Sequence, residues 1–293
     1  MYYLKRVIVV LEHQKYREAF WQLGQTLQKQ NIELVCQDIH IQKISTCDRQ
    51  KEHRGGVIPT REYAEAILYL TDKASYAESL IQQGCAVLAF LHEENASQDF
   101  GTIRYACEKP QELDATYMEG VYRRYKRIPW DILETDRCYV RETTVEDVDA
   151  FYKIYKEPEI TRYTEGLLPD REQQIQYFQD YIDKYYGFYE LGIWTIIEKS
   201  TGDIIGRAGL SYREGFEEPE LGFVIGLPWQ GKGFAKEVCR AILQYGREEW
   251  GFDKVAAFVS PQNTPSLQLC QKLGMKRIGE VTIDSQNYCY MSL

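Results

Sequence analysis

The residues with the clearest chemical content run Leu221-Gly-Phe-Val-Ile-Gly-Leu-Pro-Trp-Gln-Gly-Lys-Gly-Phe-Ala-Lys236: an apolar run, a glycine-rich loop and the start of an amphipathic stretch. Strand, loop and helix in that order bring unpaired backbone N–H groups and the positive end of a helix dipole to one place, which suits a phosphate or pyrophosphate. Gly231 and Gly233 let the backbone close around such an anion with no Cβ in the way. Two nucleotide motifs fail here. Gly226 to Lys232 follows the phosphate-loop pattern until its last position, where Gly233 replaces the hydroxyl that would hold Mg²⁺. The dinucleotide pattern G-x-G-x-x-G fails because Lys236 stands where the third glycine belongs.

Acid–base groups narrow the chemistry. All four histidines (13, 40, 53 and 92) lie in the first half, so the half with the loop has no imidazole to act as a base. Glu220 opens the strand leading into the loop and is the candidate general base, directly or through one water. Glu217 and Glu218 beside it leave open a plain solvated acidic cluster. Eight cysteines (36, 47, 85, 107, 138, 239, 270 and 289) show neither a CxxC pair nor metal-like spacing, so no metal is expected. Scattered thiols in a chain of this size suit a reducing cytoplasm.

The elements that must position these groups fall into two sets. In the first half, Arg6–Leu11 is a continuous β-branched run of the kind buried on both faces. A helix over 14–30, strands at 32–36, 66–70 and 85–91, a helix at 72–83 and one from Pro110 to about 127 follow, with 41–60 read as a long loop. This alternation predicts an α/β, Rossmann-like parallel-sheet domain over residues 1–130. After a linker near Ile128-Pro129-Trp130 the pattern restarts at Cys138. Helices at about 143–155 and 170–185, a hairpin of strands at 194–197 and 204–210, the 221–225 strand, a helix to about 250, a strand at 254–259, a helix at 264–273 and two short strands complete residues 137–293.

Gln230-Gly231-Lys232-Gly233-Phe234-Ala235 resembles the Q/R-x-x-G-x-G/A pyrophosphate loop of the GNAT N-acetyltransferases. Asn263-Thr-Pro-Ser266 and Lys272-Leu-Gly274-Met275 resemble the N-x-x-S…K-x-G-F segment of that family, and the resemblance extends over 137–293, towards the branch with the ribosomal-protein N-terminal acetyltransferases. It implies an α+β domain with a mostly antiparallel central sheet, and acetyl-coenzyme A bound between two splayed strands, 221–225 and 254–259. The backbone of Phe223, Val224 and Ile225 would hold the pantetheine arm and thioester carbonyl. Gln230 and the segment Gly231, Lys232, Gly233, Phe234, Ala235 and Lys236 would wrap the pyrophosphate, and Asn263 would bond the arm from the facing side. Such enzymes often carry a carboxylate where Glu220 stands. Many place a tyrosine, the general acid, seven residues after the asparagine; here that position is Cys270. A thiol of free pKa about 8.5 could donate that proton, or Cys270 could be a buried helix-face residue.

The implied reaction is transfer of acetyl from acetyl-coenzyme A to a primary amine, on a small molecule or a protein N-terminus, by direct attack on the thioester. The alternative is a sensor module that binds acyl-coenzyme A without turnover. Tyr163, Tyr185, Tyr186, Phe188, Tyr189 and Trp194 could line a pocket for a cation, with Glu165 and Asp170 adding negative charge. In the first half, Leu70-Thr71-Asp72 and Gly84 to Phe90 resemble the middle of the haloacid-dehalogenase fold. That family's phosphatases carry D-x-D after the first strand; Leu11-Glu12-His13-Gln14 has no aspartate, which implies a degenerate, non-catalytic domain.

The composition fits this picture. Over 293 residues the formal charge is −9, and residues 134–293, with 18 basic and 26 acidic side chains, hold −8 of it. An acidic chain is a poor phosphate-backbone binder, so no nucleic-acid partner is expected, and the charge suits either solubility or attraction of a cationic amine. No segment approaches the ~18–20 apolar residues of a membrane helix, so a cytoplasmic protein without a membrane partner is expected, with a homodimer as a compatible assembly.

Overall fold

A computed structural model describes residues 3–38 and 66–293. The loop expected at 41–60, with His40, His53 and Cys47, lies outside the described residues. The chain divides into two compact units, Met1–Ile128 and Pro129–Leu293.

The first unit contains β1 (Arg6–Leu11), α1 (Trp21–Gln28), β2 (Glu33–Asp38), β3 (Ile67–Thr71), α2 (Ala74–Gln82), β4 (Ala86–Phe90), the short β5 (Ala106–Cys107) and α3 (Ala115–Lys126). The strands form one parallel sheet in the order β2-β1-β3-β4-β5. Alternate residues of the buried strands serve opposite layers, as the period of two requires. Val7, Val9, Leu68, Leu70 and Leu88 pack against Leu23, Leu27, Met118 and Tyr122 from α1 and α3. Ile8, Val10, Tyr69 and Val87 pack against Ala77 and Leu80 of α2. The helix expected from Pro110 instead opens as a 3-10 turn and breaks. Asp114 then caps α3, its carboxylate accepting the Tyr117 N–H at 2.8 Å.

The second unit starts with β6 (Asp131–Glu134), inside the stretch expected to be a linker, followed by β7 (Cys138–Arg141), α4 (Val148–Tyr155), α5 (Pro158–Thr161) and α6 (Arg171–Asp180). A π-helical stretch, Tyr181–Tyr186, prolongs α6 into α7 (Gly187–Tyr189). Then come β8 (Gly192–Glu198), β9 (Ile204–Ser211), β10 (Glu220–Ile225), α8 (Phe234–Trp250), β11 (Ala256–Val259), α9 (Thr264–Lys272), β12 (Lys276–Ile283) and β13 (Gln286–Ser292). The eight strands run β12-β13-β11-β10-β9-β8-β7-β6, antiparallel throughout except between β10 and β11. This is the mostly antiparallel α+β domain expected. One face packs on α8 through Leu221, Ile225, Val238 and Ile242. The other packs on α4 and α6 through Val224, Phe151 and Phe178.

Two constraints fix this sheet. Asp147, at the entry to α4, takes a bidentate pair from Arg141 at 2.8 and 2.7 Å and a bond from the Thr195 hydroxyl at 2.9 Å, tying the helix to β7 and β8. The π-helical stretch brings two phenols to one residue: Tyr181 accepts the Ile193 N–H at 3.0 Å, and Tyr186 donates to the Ile193 carbonyl at 2.6 Å. Where β8 and β9 meet, the backbones leave no room for a side chain. A Cβ on Gly209 would stand 1.8 Å from the Gly192 carbonyl oxygen. Both strands are flanked by other strands and cannot swing away. Gly209→Ala is therefore expected to destabilise the unit by about 3 kcal/mol. The urea midpoint checks this, and an unchanged midpoint would mean that the sheet widens freely there.

Candidate active site

The site begins where two strands part. β10 and β11 are in register only at Glu220 and Ala256, joined by the Ala256 N–H to the Pro219 carbonyl at 2.8 Å. Beyond that pair the strands diverge. On its other side β10 is fully paired with β9, Glu220↔Ser211 through Ile225↔Gly206. The Gly226 N–H donates to the Ile205 carbonyl at 2.8 Å, so backbone groups of even-numbered residues turn to β9. Those of Leu221, Phe223 and Ile225 therefore turn to the gap. Val224 differs from expectation: its carbonyl oxygen lies against Gly206 of β9, 2.1 Å from where a Cβ there would sit. Its side chain packs on the α4 and α6 face.

The gap ends at the glycine loop. A 3-10 turn, Leu227–Trp229, follows β10, and α8 starts after Gly233. Gly231 at φ +73° and Gly233 at φ +86° adopt the left-handed conformation that glycine alone takes without strain. The first helical bond is the Glu237 N–H to the Gly233 carbonyl, 3.1 Å. The Phe234, Ala235 and Lys236 N–H groups thus have no intrahelical acceptor, and Gly233 supplies no side-chain cap among the described residues. With Lys232 and Lys236 exposed beside them, these amides offer an anion free donors and positive charge.

The loop is pinned from several sides. Gln230 returns its Nε2 to the Ile225 carbonyl at 2.8 Å, and the Trp229 indole donates to Glu198 at 3.0 Å, which holds the Glu198 carboxyl below its usual range. Arg137 donates to the Lys232 carbonyl at 3.0 Å and to Glu237 at 2.7 Å, and covers the Phe234 ring at 4.1 Å. Thr135 donates to Glu237 at 2.7 Å. Burial pushes the Glu237 carboxyl up, but the bonds from Thr135 and Arg137 outweigh it and the net shift is downward. Nothing in the spacing marks Arg137, which meets the loop across 95 residues. Across the gap Asn263 caps α9, accepting the Ser266 N–H at 3.3 Å. Its Nδ2 has no partner among the described residues.

At the closed end, Glu220 is not a free carboxylate. Arg213 bonds it at 2.6 and 3.3 Å, and the Glu220 side chain is 13% exposed. Arg213 is held charged chiefly by Glu220, with Tyr288 and Glu165 contributing. Phe258 and Tyr290 stack at 5.4 Å beside Arg213, and Tyr290 donates to Glu218 at 2.8 Å. That bond pushes the phenol up, so it stays protonated. Sequence reasoning missed Arg213 and Tyr290.

Three other expectations change. Cys270 is fully buried in the core that includes Cys239, and burial pushes its thiol up to about 11. A proton enclosed there has no route to a thiolate in an open cleft. Trp194 and Tyr186 are likewise core residues. Asp170 caps α6 through the Gln173 N–H at 2.9 Å. Tyr185 and Tyr189 do reach the surface, in a tyrosine ladder with Tyr181 and Tyr177 beside a cavity of about 500 Å³.

Residues 137–276 match the model of the acetyltransferase (GNAT) domain. The chain is 32% identical over 153 residues to the uncharacterized N-acetyltransferase YoaA of Bacillus subtilis, covering 50% of this chain and 84% of that one. It is 30% identical over 148 residues to the uncharacterized protein YkkB of the same organism (49% and 84%). With the [ribosomal protein uS5]-alanine N-acetyltransferase of Escherichia coli it shares 28% identity over 160 residues (52% and 81%). The parted strands, the amide-lined loop and these matches agree: through its second unit, the chain belongs to the GNAT family of N-acetyltransferases.

Proposed function

We propose that the second unit transfers acetyl from acetyl-coenzyme A to a primary amine that arrives as a cation. The observation that carries this is the single-pair contact of β10 and β11, which leaves the amides of Phe223 and Ile225 facing a gap whose end is the loop. The pantetheine arm takes the place of the missing strand. Its thioester carbonyl accepts from a β10 amide, and the pyrophosphate sits on the N–H groups of Gly231 to Lys236. Asn263 Nδ2 bonds the arm from the α9 side.

The reaction needs the amine neutral when it attacks. Glu220 first takes the ammonium's proton through one water. The lone pair then adds to the thioester carbon, the C–S bond breaks, and the departing thiolate takes, through water, the proton that the nitrogen gives up on becoming an amide. Arg213 holds the Glu220 carboxylate in place, so Glu220 also serves as a fixed negative charge that draws in the ammonium. Glu218 and Glu165 add to the field at the same end, and the −8 carried by residues 134–293 extends it over the unit.

Thiol release from acetyl-coenzyme A, measured over polyamines, aminoglycosides and peptide N-termini, tests the proposal. Turnover of a carboxylate or hydroxyl acceptor alone would overturn it, as would tight coenzyme binding with no release on any amine. Glu220→Gln is expected to lower kcat about 100-fold. Arg137→Ala frees the loop and is expected to raise KM for acetyl-coenzyme A about tenfold, near 1.4 kcal/mol, with kcat little changed. Steady-state kinetics on folded variants separate the two. Cys270→Ala is expected to keep kcat within about twofold while costing about 1 kcal/mol of stability in urea melts.

A further inference from the structure

We propose that the carboxyl edge of the first unit's sheet holds one divalent transition-metal ion of the Zn²⁺ class, ligated by His13, His92 and Glu94 and oriented by Asp72. Three loops converge there: His13 follows β1, Asp72 follows β3, and His92 and Glu94 follow β4. In the order β2-β1-β3-β4-β5 the chain leaves β1 to one side and returns on the other at β3. The crevice outside the carboxyl ends at such a switch point is where open α/β sheets bind ligands.

Asp72 is fully buried and already satisfied as a loop staple, accepting the Glu12 N–H at 2.6 Å and the His13 N–H at 3.0 Å. Closing the loops needs nothing more. Yet the same carboxylate lies 3.2 Å from His13 Nδ1 and 3.2 Å from His92 Nε2. An ionised carboxylate only accepts, so each ring turns an N–H to it, and the tautomers follow: the lone pairs fall on His13 Nε2 and His92 Nδ1. A carboxylate bonded to one nitrogen of an imidazole while the other faces a metal is the usual outer-shell arrangement.

The remaining donors are close together. One ligand atom from each of His13, His92 and Glu94 lies within 4.8 Å of the others. His13 Nε2 is 3.7 Å from Glu94 Oε2. His92 Nδ1 accepts the Glu94 N–H at 3.2 Å, a long bond that an ion would replace. Lys15 bonds the other Glu94 oxygen. Tyr16 and Phe90 pack their rings on His92 at 4.1 and 5.1 Å, so this ligand is held rigidly in an apolar wall. Two imidazoles and one carboxylate favour Zn²⁺, Co²⁺ or Ni²⁺ over Mg²⁺, which prefers oxygen. Three protein ligands leave a position for water or an anionic ligand.

The test uses chelator-treated full-length protein, titrated with Zn²⁺ by calorimetry and with Co²⁺ by visible absorption. One ion per chain is expected, with a Co²⁺ spectrum free of thiolate charge transfer. His13→Ala and Glu94→Gln are each expected to weaken binding at least about tenfold. Both side chains are partly exposed, at 28% and 41%, so metal-free thermal midpoints should hold and the variants should stay folded. Absence of saturable one-to-one binding, a thiolate band, or binding unchanged in both variants would each overturn the assignment.

Discussion

Backbone amides must find partners, and in the second unit β10 finds them on one side only. β9 pairs it along its length, whereas β11 meets it once, at Glu220 and Ala256. The row of polar groups left on the other side is the surface proposed for the coenzyme. A ligand with alternating amide donors and acceptors would replace a strand there, much as a peptide adds to a sheet edge. The hydrogen-bonding side of each β10 residue thus matters more than its side chain. Phe223 and Ile225 turn their backbone groups to the gap because odd positions do, and Val224 turns its own to β9.

An open seam in a sheet has to be held open. The Asp147 cluster with Arg141 and Thr195 fixes β7 and β8 to the helix layer, and Gly206 and Gly209 let β8, β9 and β10 approach closely. Arg137, Glu237 and Thr135 then lock the start of α8 from the β7 side. The loop amides are thus aimed before any ligand arrives, which reduces the ordering cost of binding.

How much of this was legible follows from the range of each interaction. Gly231 and Gly233 were readable because the backbone conformation they permit is a local property. Continuous apolar runs such as Arg6–Leu11 were readable because burial on both faces imposes composition as well as pattern. β6 was not, since a four-residue edge strand with two exposed acids looks like a linker. The break before α3 was missed because Pro110 is itself a helix-start signal and hid the true cap, Asp114. Arg137, Arg213 and the meeting of His13 with His92 were invisible for a different reason. Each depends on tertiary contacts between elements that sequence order keeps apart.

The charge of the second unit acquires a direction from these contacts. Its loop end collects amide dipoles, Lys232, Lys236 and Arg137, while Glu237 neutralises Arg137 rather than facing the anion site. Its closed end collects Glu218, Glu220 and Glu165 around one arginine. An anion is therefore favoured at one end of the gap and a cation at the other, although the unit's sum is acidic. The proposed ligand, with diphosphate at one end and a thioester at the other, would lie along that gradient, with the ammonium of the proposed acceptor at the thioester end. The pairing of Glu220 with Arg213 keeps the carboxylate's charge in place on a largely buried side chain. Loss of Arg213 would remove the restraint on its position and leave a largely buried charge without its partner, so orientation and charge at this site both depend on one ion pair.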